Sequence, residues 1–573
     1  MRRGLIAGSF VGLVIAGAFL LRPSTEGARP APAAFVDEAR CAGCHAEEAE
    51  RWRGSPHDRA MELPSPSTVR GDFDDAVFED TRLLREGDDY FVEVAGRRHR
   101  VVYTFGAAPL QQYLLEADGG RLQASAVAWD VDAGKWFRVQ DPAVHYLGRY
   151  QTWNTMCADC HSTGVDKRYD AETDHFDTRF AQIDVGCQSC HGPGSQHADD
   201  PDVALAVRNE VEACAPCHAR RAPLTERADP LEPFTDHYRP MTLQPGLYFA
   251  DGQIRDEVFT YGSFAQSAMH AAGVTCTDCH DPHGATKLAS NRTCLTCHGA
   301  TPPDRFASLA KRKRNLDTPA HHHHAEGSAG AQCTACHMPT RTYMGVDERH
   351  DHRFAIPRPD LSAKLGTPDV CTDACHTDRD ATWSAEIVRG WGAERRPHFG
   401  ELFARAQAGN RDVPALTRLA KSDAPAIVRA TALEWLAMPP VACDTSLVRD
   451  PDPLVRSVAV TCAEALSPTA RVKAIGGQLE DASRLVRVET ARVLAPVATA
   501  LRGPQREAYT RAREELTRMY TSQTDRPEGH FNLGLLAEAE GDRDEAARRY
   551  KRALEQDPLF RPARVNLYLM QQR

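Results

Sequence analysis

Sixteen of the 18 cysteines fall into eight short clusters, each closed by a histidine. Seven read C-x-x-C-H: Cys41/Cys44/His45, Cys157/Cys160/His161, Cys187/Cys190/His191, Cys214/Cys217/His218, Cys276/Cys279/His280, Cys294/Cys297/His298 and Cys333/Cys336/His337. The eighth, Cys371/Cys375/His376, has one more residue between its cysteines, which must be looped out. A pair of thiols at this spacing can form two thioethers to one edge of a porphyrin. The next residue then brings an imidazole beneath the iron. Zinc or a redox dithiol also uses C-x-x-C, but neither requires a His directly after every second Cys. The pattern predicts eight haems c, with the motif Cys as tethers and the motif His as proximal ligands.

Each motif supplies one axial ligand, and the second decides the chemistry. A second His saturates the iron and suits it to electron transfer; an open position makes a catalyst. Of the 24 histidines, sixteen are not proximal. A lone His is ordinarily a surface or hydrogen-bonding residue, but here several crowd the motifs. The distal candidates are His57, His145, His197, His270, His283, His323 and His352, with His323 taken from the run His321–His324. His99, His175, His398 and His530 read as structural. Enough imidazoles exist to saturate nearly every iron, which favours an electron carrier with no catalytic residue of its own. The alternative is a reductase or oxidase of a small nitrogen or sulfur compound such as nitrite, hydroxylamine or tetrathionate, acting at one haem with an open axial site.

Thioether attachment of haem takes place outside the cytoplasm, so export is required. Arg2 and Arg3 precede an apolar run, residues 4–21, which reads as an export signal, either removed or kept as an inner-membrane anchor. Residues 22–35 would then be a Pro/Ala-rich tether. The expected location is periplasmic. The net charge of −10 argues against nucleic acid as a partner and suits a basic redox protein.

These sites need elements to hold them. Residues 36–70 carry the first site on a helical stretch. Residues 71–144 hold no site; Tyr90–Val94, His99–Thr104 and Lys135–Val139 cluster β-formers between Gly-rich turns, predicting a small inserted antiparallel sheet. Residues 145–392 carry seven sites in segments rich in Gly, Pro, Asp and His, too short to bury a side-chain core, so the haems must be the core. From 395 the motifs stop. A Val-Arg pair recurs at 428, 455 and 486 before apolar residues at helical spacing, which resembles a short HEAT repeat over 395–500. In 501–573, Leu533-Gly534, Ala546, Tyr550, Ala553 and Pro558 sit at tetratricopeptide offsets. Such repeats would offer a surface for partner docking. Cys443 and Cys462 are either two buried small hydrophobes or a disulfide.

Trp153–His161 with Ser162-Thr-Gly164, followed by Val185–His197, resembles the multihaem cytochrome superfamily. That group includes the tetrahaem cytochromes of ammonia oxidisers, pentahaem nitrite reductases and hydroxylamine oxidoreductase. The order of parts is similar to exported octahaem cytochromes ending in HEAT-like and tetratricopeptide repeats. Shared-looking segments are Tyr103–Gly106, Pro109–Tyr113, Asp251–Glu257, Cys279–His283 and Arg358–Ser362, so the likeness spans residues 36–392. It implies architecture more than activity. The lysine that holds the catalytic haem of nitrite reductases is absent, since no C-x-x-C-K occurs, and no motif marks a cross-linking tyrosine. The fold expected is multidomain and mainly α, a haem-cored region with an inserted β-sheet followed by an α-solenoid.

Overall fold

The computed structural model describes residues 33–139, 149–205, 209–284, 290–310, 315–392, 396–438 and 443–572. The apolar run 4–21 and His145 lie outside them. Among the described residues no helix is long and apolar enough to cross a membrane.

The segment between the first two motifs forms a nine-stranded antiparallel sheet: β1 (Met61–Glu62), β2 (Ala76–Phe78), β3 (Thr81–Glu86), β4 (Asp89–Val94), β5 (Arg97–Phe105), β6 (Leu110–Ala117), β7 (Arg121–Ala124), β8 (Val127–Asp130) and β9 (Lys135–Arg138). Strands β2 to β6 pair in sequence, then β8 and β9 continue from β6; β1 adds to β5 and β7 to β6. The three β-rich stretches of the sequence are β4, β5 and β9. One face packs Phe73, Leu83, Tyr90, Val92, Tyr113 and Trp136 together, as alternation along half-buried strands requires. The other packs Phe105 and Leu114 on Trp153 and Ala158, immediately around the second motif. The sheet is thus a wall behind that site.

The motif segments are short helices separated by loops: Glu38–Cys44, Ala158–His161, Cys187–His191, Glu210–His218, Arg292–His298 and Cys333–His337, with a single 3-10 turn at Cys276–Asp278. One helical turn puts the two cysteines, three residues apart, on one face. The eighth motif, with its extra residue, lies on consecutive turns. All sixteen motif cysteines are half-buried or exposed.

The main side-chain core lies in the C-terminal helices, from Phe399–Gln407 to Pro527–Glu540, and a smaller separate core joins that last helix to Arg543–Gln556 and Arg561–Gln572. The recurring Val-Arg pairs have a visible purpose there. Each Val is buried, while each Arg forms a two-toothed ion pair with an acid of the following segment. Arg429 grips Asp450, Arg456 grips Asp481 at 2.8 Å, and Arg487 grips Glu515 at 2.9 Å. Any side chain at Gly534 would strike the buried ring of Tyr550, so that close approach demands glycine. Cys443 and Cys462 are joined as a disulfide.

The C-terminal helices clasp the motif-bearing region. Lys167 reaches buried Asp525 at 2.9 Å. Thr155 donates to the same carboxylate at 2.6 Å, and Arg149 to the Asp525 carbonyl at 2.9 Å. Arg484 meets the Asp236 carbonyl at 2.8 Å, and Arg239 meets Glu434 at 3.4 Å. Leu243, Tyr248, Ile254 and Val258 of the motif region enter the same apolar core as Leu416 and Leu433.

Candidate haem centres

Six motif imidazoles face a second imidazole across a nearly constant gap. The ring centres are separated by 6.2 Å for His45 and His197, 6.4 Å for His218 and His57, and 6.4 Å for His191 and His283. They lie 6.3 Å apart for His280 and His352, 6.2 Å for His337 and His321, and 6.3 Å for His376 and His324. Two metal–imidazole bonds of about 2.0 Å, plus about 1.1 Å from each ring nitrogen to its ring centre, span about 6.2–6.4 Å. The spacing therefore fits one iron between each pair, and it is too wide for ring stacking or a hydrogen bond.

The outer nitrogens support that fit. Nδ1 of His197 bonds the Val203 carbonyl at 2.9 Å, that of His324 the His322 carbonyl at 2.6 Å, and that of His352 the His350 carbonyl at 2.9 Å. Nδ1 of His337 bonds the Ala355 carbonyl at 2.9 Å, and His57 bonds the Pro282 carbonyl. A carbonyl only accepts, so Nδ1 carries the proton and Nε2 keeps a lone pair for a metal. Burial also holds His57, His161 and His191 below the ordinary histidine pKa, and takes His218 down to about 4, with the charge of His57 adding to the effect. Neutral imidazoles are the form that ligates.

Other expected ligands are placed differently. His323 stacks on Trp391 with ring centres 4.1 Å apart, while its neighbours His321 and His324 face motif imidazoles. The cause is local: His323 caps the helix Pro319–His322 in the left-handed region, φ 57°, which swings its ring away from theirs. His270 packs edge-on against Phe264 at 5.2 Å, not against a motif His. His161 bonds the Ala60 carbonyl at 3.2 Å and meets Phe105 edge-on at 5.5 Å. Another distal candidate, His145, is outside the described residues. His398 caps the helix Phe399–Gln407, accepting from the Gly400 amide at 3.1 Å. His99 and His237 hold backbone and side-chain hydrogen bonds.

Residues 40–76 and 140–192 match the family model for cytochrome c554 and c-prime, and residues 268–347 match that for cytochrome c3. Multiheme cytochrome MtrA of Shewanella baltica (strain OS185) is 28% identical over 153 residues, covering 25% of this chain and 32% of that one. The chain thus spans less than a third of the length of that curated relative. The solved outer cell wall cytochrome OcwA aligns over 84% of this chain and 99% of its own, at 16% identity and a TM-score of 0.43. With the motifs and the matched models together, the family follows. The chain is a multihaem c-type cytochrome.

The motif cysteines come within hydrogen-bond or electrostatic range of those of another motif at every step from the first motif through the third to the eighth. Cys41 of the first site hydrogen-bonds Cys187 of the third, and Cys190 of the third lies within electrostatic reach of Cys214 and Cys217 of the fourth. Cys214 hydrogen-bonds Cys276 of the fifth, whose Cys279 senses Cys294 and Cys297 of the sixth. Cys294 hydrogen-bonds Cys333 of the seventh, and Cys336 neighbours Cys371 and Cys375 of the eighth. The second site stands beside the fourth, with Cys160 Sγ 3.9 Å from the Cys217 carbonyl. Thioether sulfurs sit on the edge of a haem c, so haems tethered at these cysteines would be neighbours.

The facing imidazoles cross the motifs. His57, beyond the first motif, faces the imidazole of the fourth; His197, beyond the third, faces that of the first; His283, beyond the fifth, faces that of the third; His352, beyond the seventh, faces that of the fifth. Sequence reasoning named these residues without their destinations, and it passed over His321 and His324. Their spacing of three residues, the same as the two cysteines on a helical turn, was the available signal.

Proposed function

We propose that this cytochrome is an exported electron conduit carrying eight haems c, most of them held between two imidazoles. The observation that supports it best is the series of neighbouring motifs, each with its cysteines within hydrogen-bond or electrostatic range of another's. Electrons would pass from the first site through the third, fourth, fifth, sixth and seventh to the eighth, with the second as a branch beside the fourth. The motif cysteines tether each macrocycle and the motif histidines bind each iron. His57, His197, His283, His321, His324 and His352 would complete six of the irons. The haems supply one-electron chemistry; the protein fixes their order and tunes them through ligands, burial and charge.

The polypeptide divides electrostatically. Residues 1–395 carry 42 Lys and Arg against 56 Asp and Glu, whereas 396–573 carry 27 against 23. The acidic haem-bearing part suits a basic redox protein. The C-terminal helices read as HEAT-like and tetratricopeptide repeats forming a solenoid. One side of it clasps the haem region. At the far end Leu559, Val565, Tyr568 and Leu569 are exposed, which is where a docking partner would bind. The residue 4–21 run would direct export to the periplasm and, if kept, tether the protein to the membrane.

Sub-stoichiometric reduction of the purified full-length protein tests the conduit. A limiting small donor should leave all haem components at one common potential within the mixing time, at a rate independent of protein concentration. Components that equilibrate only through collisions between molecules would refute it. One observation favours the enzyme reading: among the described residues, the ring contact of His161 is Phe105, not an imidazole. If that iron is open, the reduced protein will bind carbon monoxide at one haem.

A further inference from the structure

Between the second and fourth attachment sites lies a cation that haem binding does not require. Arg221, three residues beyond His218, has a side chain only 12% exposed. Its guanidinium touches both motif loops. Nε donates to the carbonyl of Pro216, inside Cys214–Cys217, and Nη2 lies 3.6 Å from Sγ of Cys160. The same nitrogen is 3.7 Å from Asp159, inside Cys157–Cys160. The plane rests 3.6 Å over the buried ring of Tyr238, whose hydroxyl donates to Asp159 at 3.2 Å. Aromatic and backbone contacts on this scale fix a guanidinium in one place.

Such a placement has an electrostatic consequence. Adding an electron to a haem makes it more negative by one unit, so a nearby buried cation favours the reduced form and an anion opposes it. The two charges here differ in setting. Arg221 is enclosed, whereas the side chain of Asp159 is 35% exposed and more screened by water. The cation therefore outweighs the anion at the macrocycle edges carried by Cys160 and Cys217.

We propose that Arg221 is a positioning and potential-setting residue: it pins the second and fourth motif loops together and biases the haems they carry toward reduction. The inference rests on haems being attached at those two sites. In that case the branch haem and its neighbour on the main path form a pair that fills early, a local reservoir beside the conduit.

The test is a spectroelectrochemical titration of full-length holoprotein, native and with R221Q, R221K and D159N, after counting haems by intact mass. In R221Q one or two haem components should shift about tenfold toward the oxidised form, equivalent to ~59 mV for a one-electron couple. R221K should retain most of the native titration, because it keeps the charge. D159N should move the same components the opposite way. Opposite signs separate electrostatics from packing damage, which would displace R221Q and D159N alike. Titrations of R221Q and D159N that match the native curve, or that shift in the same direction, would overturn the proposal while leaving the conduit in place. Absence of haem from the second or fourth site in the native protein would instead remove the reading beneath it. Should R221Q lose a haem, R221K against D159N still carries the test.

Discussion

The ion pair of Lys167 with Asp525 should decide whether the C-terminal helices stay fastened to the haem region. Asp525 has 1% of its side chain exposed and Lys167 10%. The carboxylate takes a second hydrogen bond from Thr155 at 2.6 Å, and the ammonium also meets the Ser522 carbonyl. Replacing Lys167 with Met keeps the stem and removes the charge. Asp525 is then a buried anion without its cation, and Ser522 loses a donor. Breaking one side of a buried pair costs about 3–5 kcal/mol. For a helical unit of the size of residues 396–572, that corresponds to roughly 10 °C in its melting temperature. Far-UV circular dichroism during heating reports the helices, while the Soret band reports the haem region. K167M should lower the helical transition by that amount. The double variant K167M/D525L, apolar on both sides, should recover most of the loss, since no charge is stranded. A K167M protein within about 1 kcal/mol of native, or a double variant as unstable as the single, would refute the reasoning.

Other consequences are open to measurement. H324A removes the imidazole facing His376, so electron paramagnetic resonance should show a new high-spin signal worth one iron of eight, with haem content unchanged; H323A should leave the spectrum as it is. Burial, with Glu38 and Asp58 nearby, raises the Asp184 pKa to about 7. Because the folded value exceeds the unfolded one near 3.8, the folded state binds the extra proton; its stabilising effect is complete below about pH 4 and is lost as pH rises through 7. Stability should therefore decline between about pH 4 and 7 in the native protein and level off above that, and D184N should flatten that decline in denaturant titrations at each pH. Carbon monoxide added to the reduced protein should leave unshifted the six haems whose motif imidazoles face a second imidazole; binding at more than two haems would contradict the paired imidazoles.

The cytochrome was legible in the sequence wherever the chemistry is local. Two thioethers and an axial ligand need only five or six consecutive residues, so the motifs stand out in the sequence. The Val-Arg repeats were visible for the same reason, although the acid that each Arg grips belongs to the next segment. What escaped depends on distance. His57 and His218 are brought together by chain folding between motifs far apart in sequence, and no pattern at either position names the other. In the run His321–His324 the error came from one residue. His323 takes a left-handed conformation, so the ring expected to face an iron lies on Trp391, while those of His321 and His324 face motif imidazoles. The sheet was readable from β-formers in β4, β5 and β9, whereas short strands such as β1 and β2 carry too few residues to show a period. Composition left the state of Cys443 and Cys462 open; it took the folded backbone to bring them into a disulfide.

Intact mass of the purified, exported protein bears most directly on the central claim that haems tethered at every motif form the interior. The account predicts the mass of the polypeptide plus eight haems, including one at the longer Cys371/Cys375 site, and C375A should lose no more than that one. A mass equal to the bare chain, or one short of several haems in a folded and exported protein, would contradict it.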